Sequence, residues 1–196
     1  MNLSQLEMAT RHSFRTVLQA VAMLSLALVA RGNGADFMID GTKSHVDVAV
    51  KSTLGSFNAR LEKYNVAIAF EPDDVGLKAA EFHADLAALK TGLAERDHNM
   101  GVWLQVDAFP EVVFELRALD RGPDGALTAR GRLRLHGLMR EIHFPVTMSV
   151  SRGLVVIDGT ATLDTQEFGL PIIRFWVLTV DPVVNVQFHL QGSLTR

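Results

Sequence analysis

From residue 46 to residue 190 the chain alternates apolar and polar side chains in short runs. Val46, Val48 and Val50 are spaced by Asp47 and Ala49, and Tyr64, Val66, Ile68 and Phe70 by Asn65, Ala67 and Ala69. Phe82, Ala84, Leu86 and Ala88 follow with His83 and Asp85 between them, then Val112, Phe114 and Leu116 with Glu115. Leu127 to Leu135 alternates with Thr128, Arg130, Arg132 and Arg134; Ile142 to Val150 with His143, Pro145, Thr147 and Ser149; Val184 to Leu190 with Asn185, Gln187 and His189. A period of two marks strands with one buried face. A shorter candidate lies at Leu154–Leu163. This gives about eight strands. The clusters Glu71-Pro72-Asp73-Asp74 and Arg121-Gly122-Pro123-Asp124-Gly125 predict turns, and Asp158-Gly159 a turn or bulge. One segment has helical spacing: Met100, Trp103 and Leu104 share a face behind Asp97 as cap, ending near Val106. An all-β meander of this length closes into a barrel or stacks as a sandwich.

The start of the chain reads differently. Arg11, His12 and Arg15 precede an apolar run from Val17 to Ala30, and Ala30-Arg31-Gly32 supplies small residues. The run is shorter than the ~20 residues that span a bilayer. It suits a signal peptide over residues 1–32, cleaved after Gly32 or, as second choice, after Ala35. An uncleaved anchor helix is the alternative. Residues 36–196 are then one domain, periplasmic or secreted. Removing residues 1–32, with three arginines and one glutamate, takes the formal charge from −3 to −5. That mildly acidic balance speaks against nucleic acid as a partner.

Candidate chemistry is sparse. The chain has no cysteine, which excludes disulfides, thiolate metal sites and cysteine nucleophiles. The histidines lack zinc-ligand spacing, with His136 and His143 flanking a turn as a weak two-ligand hint. No nucleophile elbow, phosphate loop or dinucleotide fingerprint is present. The reading is therefore not an enzyme, with no catalytic residue, metal or cofactor. Arg130, Arg132 and Arg134 share a strand face, either as a solvated surface or as a patch for anionic lipid. Arg96 and Asp97 suit an ion pair with a helix cap, or a polar mouth that meets a ligand head group.

The motifs Ser44-His45-Val46, Thr53-Leu54-Gly55-Ser56-Phe57, Glu95-Arg96-Asp97, Phe109-Pro110 with Phe114, Gly131-x-Leu133-x-Leu135-x-Gly137 and Phe168-Gly169-Leu170 occur in that order. Together they resemble the YceI-like family from about Phe37 to Leu194. The chain departs from that family's usual pattern at His98-Asn99, at Met139-Arg140-Glu141 and ahead of Phe168, where Thr165, Gln166 and Glu167 stand. The resemblance implies an all-β, eight-stranded antiparallel lipocalin-like barrel with one short helix behind a signal peptide. It also implies a polyisoprenoid or similar long-chain amphiphile, quinone-like ones included, held as by a carrier or scavenger. Alternation alone favours a filled core, since packed interiors are the norm; the resemblance points instead to a tunnel. Strand parity then gives Val48, Val50, Val66, Ile68, Phe70, Phe114, Phe144, Val146, Val186 and Phe188 as lining, with Trp103 near one mouth. The rival reading is an enzyme or redox accessory protein for a small hydrophobic substrate. Oligomeric state is left open, a homodimer included.

Overall fold

The computed structural model describes residues 36–70 and 76–195. The expected signal peptide, its expected cleavage positions and the expected Glu71–Asp74 turn lie outside them. Eleven strands form one antiparallel sheet: β1 (Asp36–Ile39), β2 (His45–Ser52), β3 (Gly55–Leu61), β4 (Tyr64–Phe70), β5 (Leu77–Asp85), β6 (Leu89–Lys90), β7 (Glu111–Arg121), β8 (Leu127–Leu135), β9 (Leu138–Ser151), β10 (Leu154–Asp164) and β13 (Val183–Thr195). Two short strands, β11 (Arg174–Phe175) and β12 (Leu178–Thr179), make a separate hairpin. The one α-helix among the described residues, α1, spans Ala94–Leu104.

The expected count of eight is thus corrected to eleven sheet strands. Short or irregular alternation hid the additional ones: β1 has four residues, β6 two, and β3 opens on Gly-Ser. The segment expected from Phe82 to Ala88 is a strand that stops at Asp85, whose carboxylate accepts from Ala87 N–H and turns the chain into a 3-10 turn. Leu154–Leu163 is no minor element. As β10 it pairs with β13 over eleven residues.

The sheet curls because β1 touches both neighbours of its gap. It pairs with β13 from Asp36↔Thr195 to Ile39↔Gly192, and with β4 at Asp36↔Ala69. The rest of that edge of β13 pairs with β2, which carries β3 and β6. At the β1 end the interior is solid. Phe37, Ile68, Phe70, Val155, Ile157 and Leu190 pack together there as a plug.

Two tight hairpins set the register of the long strands. His136 and Gly137 (φ 49° and 73°) join β8 to β9, and Arg152 and Gly153 (φ 51° and 81°) join β9 to β10. Two successive positive φ values give the turn whose twist matches the strands it joins.

Asp158-Gly159 is neither turn nor bulge. It sits mid-strand in β10, and Gly159 faces Phe188 of β13, its register partner. A Cβ on Gly159 would lie 2.3 Å from Phe188 Cζ, so the ring lies flat where a side chain would be. Gly131 takes the Phe114 ring in the same way, and Gly192 the Phe37 ring.

Helix α1 starts earlier than expected. Asp97 lies in its first turn instead of capping it, and Leu93 is the cap position without a side-chain bond. The Asp97 carboxylate reaches back and accepts from Thr91 N–H (2.7 Å) and Thr91 Oγ1–H (2.6 Å). The helix stops at Gln105 in the left-handed region, close to the expected end.

Candidate functional site: an apolar cavity under helix α1

Beyond the plug the curled sheet stays open inside, and Ile68, Ile157 and Leu190 of the plug border the space. A cavity of about 270 Å³ lies there, near the lower end of the ~300–1,000 Å³ usual for small-molecule sites. Its walls come from β2, β3, β4, β5, β7, β8, β9, β10 and β13, and α1 contributes Met100, Trp103 and Leu104. Of the bordering residues only Glu81 and Thr165 are polar. Neither turns polar surface into the cavity, whose lining is wholly apolar: Glu81 Oε1 lies 2.7 Å from His83 Nε2, and Thr165 Oγ1 donates to the Pro182 carbonyl. A ligand inside would be held by burial, at about 0.8 kcal/mol per CH₂.

Nine of the ten strand positions named from parity border the cavity, together with Trp103 from α1. Val48, Val50, Val66, Ile68, Trp103, Phe114, Phe144, Val146, Val186 and Phe188 all border the cavity. Phe70 does not. It ends β4 at the β1 end, where the pairing slips by a bulge, and it is 1% exposed within the plug. Parity fixes a side, but not a height, so the same inward face serves as wall at one level and plug at another.

Three rings cross the lumen. Phe144 sits between Phe114 (5.4 Å between centroids) and Phe188 (5.8 Å, edge to face). Because Gly131 and Gly159 receive the outer two, those rings hug the wall instead of filling the space.

Other wall residues went unnamed in the sequence reading. Leu133, Ile142, Leu163 and Val184 lie on the same parity and were within its reach. Leu86, Leu89, Met100, Leu104 and Leu170 sit on turns, a two-residue strand and the helix. The alternation from Phe82 included Leu86 and helical spacing linked Met100 and Leu104 to Trp103, whereas no period marks Leu89 or Leu170.

The open end is covered by α1 and the segment after β10. Trp103 Nε1 donates to the Pro171 carbonyl at 2.8 Å, next to Leu170, which also borders the cavity. Arg96 lies on the same helical stripe as Met100 and Trp103, its guanidinium 4.3 Å from the Phe57 ring centroid. Phe57 pairs with Val50 of the wall. Hydrogen bonds from Thr91 hold the Asp97 carboxyl below the ordinary carboxylate range. Asp97 thus braces the loop entering the helix.

The arginine stripe of β8 is neutralised across the sheet. Arg130 forks onto Asp120 (2.5 and 3.0 Å), Arg132 reaches Glu115 (3.1 Å) and Arg134 lies 3.8 Å from Glu111. His136 and His143 are not brought together. His136 contacts the Phe168 carbonyl through Nδ1 (3.0 Å), whereas His143 is exposed on β9 opposite Arg130. Among the described residues no three His, Asp or Glu side chains converge to hold a metal ion.

The YceI-like domain matches residues 37–192. The chain belongs to the YceI-like family. Solved structures share the fold at low sequence identity. BcnA of Burkholderia cenocepacia is 19% identical with a TM-score of 0.70, over 80% of this chain and 100% of that one. A polyisoprenoid-binding domain from Saccharophagus degradans is 14% identical with a TM-score of 0.60, over 83% and 100%. The Campylobacter jejuni YCEI protein is 13% identical with a TM-score of 0.60, over 70% and 84%. No curated protein sequence matches this chain. The family's β architecture accounts for the curled sheet.

Proposed function

We propose that this chain is an exported lipid-binding protein. It holds a polyisoprenoid or similar long-chain amphiphile within the curled sheet and acts as carrier or scavenger, with no reaction of its own. The observation that carries this reading is the cavity under α1, walled by apolar side chains with no free polar group facing in. Such a space offers a hydrocarbon chain burial and offers a reacting group nothing. The polyisoprenoid-binding domain with the same fold supports the ligand class. The tail would lie against Phe114, Phe144 and Phe188. Arg96, on the stripe with Trp103, supplies the positive charge for an anionic head group, and Asp97 fixes the loop beside it.

Mass spectrometry of organic extracts from the purified protein tests the proposal. One long-chain amphiphile per chain is expected. Lipid-free protein that also takes up no added polyprenyl phosphate or quinone at micromolar concentration would remove the carrier reading. Turnover of a bound hydrophobic compound would favour the enzyme alternative.

A further inference from the structure

The hairpin of β11 and β12 carries a cluster that the cavity does not use. Phe175, Trp176 and Val177 form its apex and are 68, 93 and 73% exposed. Phe175 and Trp176 stack at 6.2 Å between centroids. Leu54, 68% exposed, belongs to the turn between β2 and β3, to which the hairpin is tied. Thr53 N–H donates to the Thr179 carbonyl (3.0 Å), Thr53 Oγ1 to the Val177 carbonyl (2.6 Å), and Thr179 N–H to Thr53 Oγ1 (3.0 Å). Asp181 N–H donates to the Lys51 carbonyl, and Ser52 bridges Val180. Two separate turns are thereby fixed side by side with their apolar side chains in solvent. Contiguous exposed apolar groups rimmed by polar residues mark contact sites.

We infer that this tip inserts into the surface of a lipid bilayer, where the protein loads or releases its cargo; the inference rests on the carrier reading above. Three observations select a membrane as the occupant. The tip follows the cavity wall closely along the chain: Leu170 borders the cavity, Pro171 accepts from Trp103, and Trp176 comes five residues after it. The apex is a two-residue turn with projecting side chains, which a deformable surface accommodates. Lys51 and Arg174 flank the cluster, are exposed, and contact no carboxylate among the described residues, which suits an anionic head-group layer. Tryptophan beside aliphatic residues is the composition that settles at a membrane interface.

The chain has no native cysteine, so a single label can be placed on the full chain. Val177→Cys carrying an environment-sensitive nitrobenzoxadiazole dye reads the tip. Arg152→Cys, at the turn between β9 and β10 near the plug, reads the far end. With vesicles of phosphatidylethanolamine and phosphatidylglycerol (3:1), emission at position 177 should rise at least two-fold and shift to the blue. Emission at position 152 should stay flat. Adding Trp176→Asn, which tolerates the φ of +55°, should weaken the response at least five-fold while the melting temperature stays unchanged. No response at position 177, an equal response in the Asn variant, or a rise that follows protein concentration without vesicles would overturn the inference, the last by placing the tip against a second copy. A tip that responds in a protein holding no lipid would support insertion while removing the carrier reading.

Discussion

Gly159 illustrates how one missing Cβ shapes the interior. Its absence lets the Phe188 ring lie against β10, so the cavity keeps its width. Gly159→Ala should push that ring into the lumen. The expected cost is under about 1 kcal/mol in denaturant melts of lipid-free protein, with less lipid bound per chain. A loss of about 1–3 kcal/mol, the usual cost of overpacking, would mean that the ring has no space to enter. Asp97 acts through its two bonds from Thr91, which depress its pKa in the folded chain. The unfolded carboxyl titrates near 3.9. The stabilisation is therefore complete above that value and fades as pH falls through the lower, folded one. The Thr91 amide should be strongly protected at pH 7 relative to its intrinsic exchange rate and lose that protection once acid protonates Asp97, and Asp97→Ala should abolish the protection already at pH 7.

At the scale of elements, α1 and the segment after β10 are joined over the cavity by Trp103 and Pro171. Trp103→Phe keeps an aromatic ring at the wall and removes the N–H donor. A solvent-accessible neutral hydrogen bond contributes only ~0.5–1.5 kcal/mol, so the melting temperature should fall by a few degrees at most. Hydrogen exchange across residues 169–173 should rise, and bound lipid should leave several-fold faster. Unchanged release kinetics would show that this contact does not close the cavity. The β7–β8 arginine ladder is a different kind of contact. Its side chains are half exposed, and such pairs contribute little to stability. The ladder keeps these charges on the outer face of the sheet and leaves the inner face apolar.

For the whole molecule, a ligand that binds only the folded state stabilises it by mass action, about 2.7 kcal/mol at a hundredfold excess over Kd. Stripping the lipid should lower the melting temperature by about 5–11 °C, since a domain of this size shifts ~2–4 °C per kcal/mol. Adding polyprenyl lipid back should restore it. An unchanged melting curve after complete extraction would separate lipid from stability. Export is checked by intact mass: protein recovered outside the cytoplasm should have lost about 32 to 35 residues, as a cleaved signal peptide requires.

Alternation by itself determined that the chain forms strands and which side chains face in. Val46, Val48 and Val50, or Phe144 and Val146, fall on the inner face because successive side chains of a strand point to opposite sides of the sheet. The two-residue turn at His136-Gly137 is equally local, since it depends on positive φ at adjacent residues. Tertiary structure decided the rest. It placed Phe70 in a plug and Phe188 in a wall, although both lie on inner faces, because height depends on where β1 crosses between β4 and β13. Gly159 has a role only because Phe188 of another strand lies across it. Leu89 and Leu170 reach the cavity from a two-residue strand and a turn, which carry no period to reveal them. The tip was likewise illegible in sequence: Leu54 and Trp176 stand more than a hundred residues apart, and hydrogen bonds from Thr53 make them neighbours. A strand's side preference is a property of its own backbone, whereas an open interior is a property of how all the strands close together.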